Sequence, residues 1–76
     1  MRIDEPITTE TSAGRPVRFT TARGRSYQVR RVLGIWQAPG ESRLYRLQVT
    51  APDGPAIAEV VGPDDAQSWR LCRIWV

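Results

Sequence analysis

Apolar and polar residues alternate along several short runs of the chain, as expected for strands with one buried and one solvated face. Two runs show this most clearly, and their predicted inward residues are Val17, Phe19 and Thr21 in the first and Tyr45, Leu47 and Val49 in the second. No segment keeps the 3.6-residue period of an amphipathic helix. The pattern therefore predicts a protein built from strands.

Turn-forming residues separate these runs every ten or so residues, a spacing typical of small all-β domains. The predicted turns are Ala13-Gly14, Arg23-Gly24, Pro39-Gly40, Asp53-Gly54 and Gly62-Pro63-Asp64-Asp65. We expect the fourth turn to join a strand near 43–51 to one near 56–61 as a hairpin. Pro63 followed by two acids predicts a single helical or 3₁₀ turn, and Trp69 then begins the last strand.

The segment 25–37 breaks the alternation, because Tyr27 and Val29 have the opposite parity to Val32 and Trp36. One extra residue near the Arg30-Arg31 pair, a β-bulge, would bring all four to one side. Gly34 is suited to a sharp bend or a close backbone approach. We expect a long strand that is bent over 30–34, as occurs where a small barrel passes from one sheet to the other.

These elements predict one all-β domain over 1–76, a five- or six-stranded antiparallel barrel that is SH3-like in size. A domain of 76 residues has a thin core, so large side chains must fill it. The predicted core is Val17, Phe19, Tyr27, Val29, Leu33 or Val32, Tyr45, Leu47, Val49, Ile57, Trp69 and Leu71.

All eleven basic residues are arginine, and they are unevenly placed. Residues 15–46 hold eight Arg against one acid, a net charge of +7, whereas 1–14 and 47–76 each carry −2, which sums to the net +3 of the whole chain. Arginine presents a planar fork that matches phosphate and carboxylate groups, although a high-GC genome would also favour it over lysine. A basic middle segment indicates an anionic partner.

Residues suited to catalysis or metal binding are scarce. The chain has no histidine, and Asp64 and Asp65 are adjacent in a turn, where solvated acids are ordinary. Cys72 is the only cysteine, so no intrachain disulfide forms, and we expect it to be a small buried apolar residue. The sequence predicts a non-enzymatic protein with no cofactor and no metal. With no leader and no apolar run long enough to cross a membrane, we expect it in the cytoplasm.

The chain resembles a family of small uncharacterised all-β proteins of high-GC bacteria. The resemblance rests on Gly24-Arg25, Tyr27, Val29, Val32-Leu33 and Trp36, then Tyr45-Arg46, then Trp69, Leu71, Arg73 and Ile74-Trp75, with the upstream run from Gly14 to Phe19. The chain departs from the family in lacking a longer, Trp-rich insertion after Trp36 and in having Gly34 where an acid is common. Some members are similar to proteins encoded near translesion DNA polymerase components, which implies a DNA-repair context.

Two functions fit these features. Single- or double-stranded DNA would bind an Arg-rich sheet face, because small barrels hold nucleic acid with basic grooves and stacking aromatics. Alternatively, a protein partner, such as a component of a repair assembly, would dock in an aromatic groove. The candidate binding residues for both are Arg18, Arg30, Arg31, Trp36, Arg43, Arg46 and Trp75. A continuous positive face favours nucleic acid, and an aromatic groove of mixed charge favours a protein.

Overall fold

Six antiparallel strands form a closed barrel in the computed structural model, which describes residues 2–37, 42–62 and 69–75. The strands are β1 (Arg2–Ser12), β2 (Arg15–Thr21), β3 (Ser26–Gln37), β4 (Arg43–Ala51), β5 (Gly54–Gly62) and β6 (Trp69–Trp75). Each strand pairs with its chain neighbours, and β1 also pairs with β6, which closes the sheet. The predicted all-β antiparallel barrel is confirmed, with six strands.

The predicted hairpin between β4 and β5 is also confirmed. Ala51 pairs with Gly54 across the two-residue loop Pro52-Asp53, and the pairing continues without interruption to Arg43 and Gly62. Gly54 has a φ of 131°, which a residue with a side chain rarely adopts. The predicted Pro39-Gly40 turn and the predicted helical turn after Pro63 lie outside the described residues.

Large side chains fill the barrel from four strands, and small residues make room for them. Most predicted inward residues are buried, namely Phe19, Tyr27, Tyr45, Leu47, Val49, Trp69 and Leu71. Val29 and Val32 are partly buried against this core. The inward positions of β5 are Ala56, Ala58 and Val60, so the prediction for Ile57 was wrong. Ile57 lies on the outer surface, where it pairs with Gln48 and Trp75.

The prediction that Val17 is buried was wrong because β2 contains a bulge. Thr11 pairs with Pro16 and Glu10 pairs with Arg18, so Val17 has no partner on β1. Its side chain is 41% exposed, and Pro16 is buried instead. One extra residue reverses the side of everything beyond it, which parity counting does not detect.

The predicted bulge in β3 is present, and a second one follows it. The partners on β4 skip Arg30 and then skip Leu33, so two extra residues interrupt the strand. The first bulge keeps Val32 on the inner side with Val29, as predicted. The second bulge turns Trp36 to the outer side, so one bulge does not bring all four residues to one side as expected, and it leaves Leu33 43% exposed.

Candidate nucleic-acid interface

A row of four residues crosses the outer surface from β3 to β6. Gly34 pairs with Arg46, Arg46 with Glu59, and Glu59 with Arg73. These residues face outward because their neighbours Tyr45, Leu47, Ala58 and Val60 face the core. The row brings two arginines and one acid from three strands to one place.

Glu59 is the charged residue that this surface covers most fully. Its side chain is only 7% exposed, and its Oε2 accepts hydrogen bonds from Nε and Nη2 of Arg46 at 3.0 and 2.8 Å. Nη1 of Arg73 lies 3.8 Å from the other carboxylate oxygen. A covered carboxylate needs such partners, and in return it fixes the position of the Arg46 guanidinium.

Two tryptophans flank this row on opposite sides. The Arg46 guanidinium carbon lies 5.2 Å from the ring centroid of Trp36 and 5.9 Å from that of Trp75, and Arg73 lies 5.0 Å from the Trp75 centroid. Both arginines are within cation–π range of an indole. We call Trp36, Arg46, Glu59, Arg73 and Trp75 the Trp–Arg cluster.

The indole ring of Trp36 lies over Gly34, where a side chain would displace it. A Cβ atom built at Gly34 would lie 2.5 Å from Cη2 of Trp36, closer than real Cβ contacts. The indole therefore covers the backbone of its own strand while remaining 47% exposed. An exposed aromatic ring on a sheet beside arginines is the arrangement that stacks nucleobases.

Arg30 and Arg31 lie next to the Trp–Arg cluster on the outer surface. Arg31 pairs with Gln48, which is two residues from Arg46 on the same face of β4, and Arg30 is the bulged residue beside it. Both arginines line one open depression of about 560 Å³ together with Gln48, Val49, Thr50 and Pro55. Its described lining contains no acid, and neither arginine forms an ion pair with a described residue.

Two other candidate arginines lie away from the cluster. Arg18 faces outward on β2, where its Nε is 3.7 Å from Glu10. Arg43 is exposed at the start of β4 and has the parity of Tyr45, so it does not belong to the outward set of Arg46. The structure thus brings together Arg30, Arg31, Trp36, Arg46 and Trp75 of the predicted residues.

Glu59 and Arg73 belong to the site but were not among the residues predicted for it. The position of Glu59 could have been predicted from the sequence, because a two-residue loop between Ala51 and Gly54 fixes Arg46 opposite Glu59. The position of Arg73 could not, because Cys72 forms a bulge in β6 that shifts the pairing with β5 by one residue. Cys72 itself is half-buried rather than buried.

Comparisons with family models, with curated proteins and with solved structures returned no match for this chain. Among the described residues, no group of three or more Cys, Asp and Glu side chains is placed to hold a metal ion. The part of the chain that the structure describes contains no helix long and apolar enough to cross a membrane.

Proposed function

We propose that the protein is a non-catalytic module that binds single-stranded nucleic acid on the outer surface of β3 to β6. The observation that carries the proposal is the Trp–Arg cluster, with the arginine pair of the β3 bulge beside it. The cluster supplies surfaces for stacking bases, and the arginine pair supplies charge for the backbone.

Charge on this surface favours an anionic partner. Among the described outward residues of β3 to β6, Glu59 is the one acid, and its carboxylate is covered by Arg46 and Arg73. Arg30 and Arg31 add two charges that no acid in the described lining of their depression offsets. The exposed charge on the surface is therefore positive, although the cluster contains an acid.

Stacking favours single strands over duplexes. Unpaired bases can lie on an exposed indole, and stacking of one base contributes on the order of 1–3 kcal/mol. In a duplex the base faces are already stacked on each other, so Trp36 would have no base to receive. We expect weak duplex binding that depends on phosphate contacts alone.

Fluorescence anisotropy of labelled single- and double-stranded oligonucleotides across a salt series tests the proposal. Binding should weaken steeply with salt, with a log–log slope of about −0.7 for each phosphate neutralised on a single strand. Changing Arg30 and Arg31 together to Ala should reduce the magnitude of the slope by the contribution of about one to two phosphates, or about 0.7–1.4. Trp36→Ala should weaken binding about 5- to 100-fold and leave the slope unchanged.

Matched controls separate the site from net charge. Arg15 and Arg23 are also exposed, and neither forms an ion pair with a described residue. Changing both to Ala removes the same charge as the Arg30 and Arg31 double variant, so it should alter the slope less. The proposal fails if the wild-type protein binds no oligonucleotide at low salt, or if both double variants behave alike.

The second candidate function is binding of a protein partner, which one observation supports. Leu33, Ile35 and Trp36 are each more than 40% exposed and lie within four positions of β3. Of these, Trp36 lies beside Arg46, and the two would anchor a protein of a repair assembly, since Trp and Arg dominate binding hot spots. If no nucleic acid binds, a pull-down compared with Trp36→Ala becomes the decisive experiment.

A further inference from the structure

A second concave site lies where the barrel end meets the Trp–Arg cluster. It is a pocket of about 280 Å³ whose lining includes Arg25, Tyr27, Asp53, Ala56, Ile74 and Trp75. Trp75 is common to both sites, because its ring also lies near Arg46 and Arg73. A single strand of nucleic acid bound across the cluster would therefore pass Trp75, which borders this pocket.

The walls of the pocket are apolar and held in place. Tyr27 is 6% exposed and is stacked on the core residue Phe19, with ring centroids 4.9 Å apart. Ala56 and Ile74 belong to the core or pack against it. The wall formed by Tyr27 therefore cannot turn aside without disturbing the core, which favours a flat group that fits between fixed surfaces.

One rim of the pocket carries paired hydrogen-bonding groups of opposite character. Nη2 of Arg25 donates to Oδ1 of Asp53, and the Arg25 guanidinium lies 5.6 Å from the Tyr27 ring centroid. Arg25 retains further N–H donors, and the carboxylate of Asp53 retains acceptor capacity. Nucleobases present hydrogen-bond donors and acceptors side by side on their edges. The amino groups of cytosine and adenine can donate a hydrogen bond to a carboxylate.

We infer that this pocket takes one unpaired nucleobase of the strand bound on the Trp–Arg cluster. The inference rests on the proposed function. The base would stack on Trp75, and its edge would meet Asp53 and Arg25. Proteins that read single bases combine these same two contacts, stacking on the base face and hydrogen bonding to its edge.

A deoxycytidine hexamer carrying 2-aminopurine at each position in turn tests the inference. Quenching of the probe should be strongest at one position, where the base enters the pocket. An abasic site at that position should weaken binding about 5- to 100-fold, and more than an abasic site at the adjacent positions that lie on open surface.

Two variants link that position to the pocket. Ala56→Leu fills the pocket and should remove the position-specific quenching while leaving the salt slope intact. Arg25→Gln keeps the pocket open but removes the positive charge from its rim, and Arg23→Gln removes the same charge two residues away. Arg25→Gln should weaken binding at least fivefold more than Arg23→Gln does. Because it leaves the core unchanged, this pair tests the inference even if Ala56→Leu does not fold.

The outcomes separate this inference from the proposed function. If the hexamer binds but abasic sites at all positions have equal effects, or if Arg25→Gln and Arg23→Gln behave alike, the pocket inference is overturned and the binding surface stands. If the hexamer does not bind at low salt, both fail. Adenosine, which carries no phosphate, should in addition shift the methyl NMR signals of Ala56 and Ile74, and unchanged signals at millimolar adenosine would count against the pocket alone.

Discussion

Two glycines in the barrel lie directly beneath tryptophan rings, and the consequences of adding a side chain differ. A Cβ atom at Gly62 would overlap ring atoms Cδ2 and Cε3 of Trp69, which is buried in the core. A Cβ atom at Gly34 would meet the far edge of Trp36, which is half-exposed. A buried ring has nowhere to move, whereas an exposed ring can turn into solvent.

Gly62→Ala should therefore affect stability, whereas Gly34→Ala should affect binding. Gly62→Ala should lower the free energy of unfolding by about 1–3 kcal/mol, the usual cost of overpacking a core. Gly34→Ala should change stability by less than about 1 kcal/mol but displace Trp36, so its single-strand affinity should fall to that of Trp36→Ala. Urea unfolding and anisotropy measure both quantities. Wild-type affinity in folded Gly34→Ala would show that the position of Trp36 is irrelevant to binding.

Among the elements, β4 was predicted best from the sequence. It has no bulge in its pairing with β5, so simple alternation placed Tyr45, Leu47 and Val49 correctly. In β3 the Arg30-Arg31 pair indicated the first bulge, since two consecutive arginines cannot both face outward in a regular strand. Leu33 gave no such signal, because an apolar residue is acceptable on either side. A single bulge was therefore expected to bring Trp36 to the side of Val29, whereas the second bulge turns it outward, where the candidate binding residue is exposed.

Two turns at one end of the barrel are joined by the Arg25–Asp53 ion pair. Arg25 precedes β3, and Asp53 lies in the loop between β4 and β5. The hydrogen bond from Arg25, assisted by a backbone hydrogen bond and by the guanidinium charge, lowers the pKa of Asp53 below its ordinary value of 3.8. Both side chains are solvent-exposed, so we expect a modest contribution to stability that salt reduces.

The pH dependence of unfolding should report this pair. A carboxylate with a lowered pKa in the folded state stabilises the fold above its unfolded pKa, and that contribution is lost as pH falls through the folded value. The stability difference between wild type and Asp53→Asn should thus be constant from about pH 7 to pH 5 and shrink below about pH 4. Urea unfolding at several pH values measures it. In an Arg25→Gln background the effect of Asp53→Asn on stability should vary less with pH. If wild type and Asp53→Asn still differ as much at pH 2 as at pH 7, the ionised Asp53 is not the source of the difference.

At the scale of the molecule, the sequence predicted a basic segment but not which arginines share a surface. Arg18 and Arg46 both belong to the +7 segment, yet they lie on different strands, and Arg18 is opposed by Glu10. Arg73 belongs to a segment of net charge −2 and nevertheless completes the Trp–Arg cluster. Charge along the chain predicts the sign of a partner, whereas barrel closure decides where the charge accumulates. The register of that closure depends on bulges at Val17, Leu33 and Cys72, which leave little trace in composition.

The dimensions of the barrel limit how much nucleic acid one copy can hold. The molecule measures 34 × 25 × 24 Å, and the surface from β3 to β6 spans three strand spacings, or about 14 Å. OB-fold barrels bind about 4–16 nucleotides each, and we expect so narrow a surface to bind a number at the lower end of that range. Affinity for deoxycytidine oligomers should rise steeply up to about 4–6 nucleotides and then rise only slightly with length. Competition anisotropy with oligomers on either side of this length measures the plateau, with the Trp36→Ala protein as the control whose steep rise should be lost. An affinity that keeps increasing in proportion to length would instead indicate diffuse attraction to the arginines, without a defined site on β3 to β6.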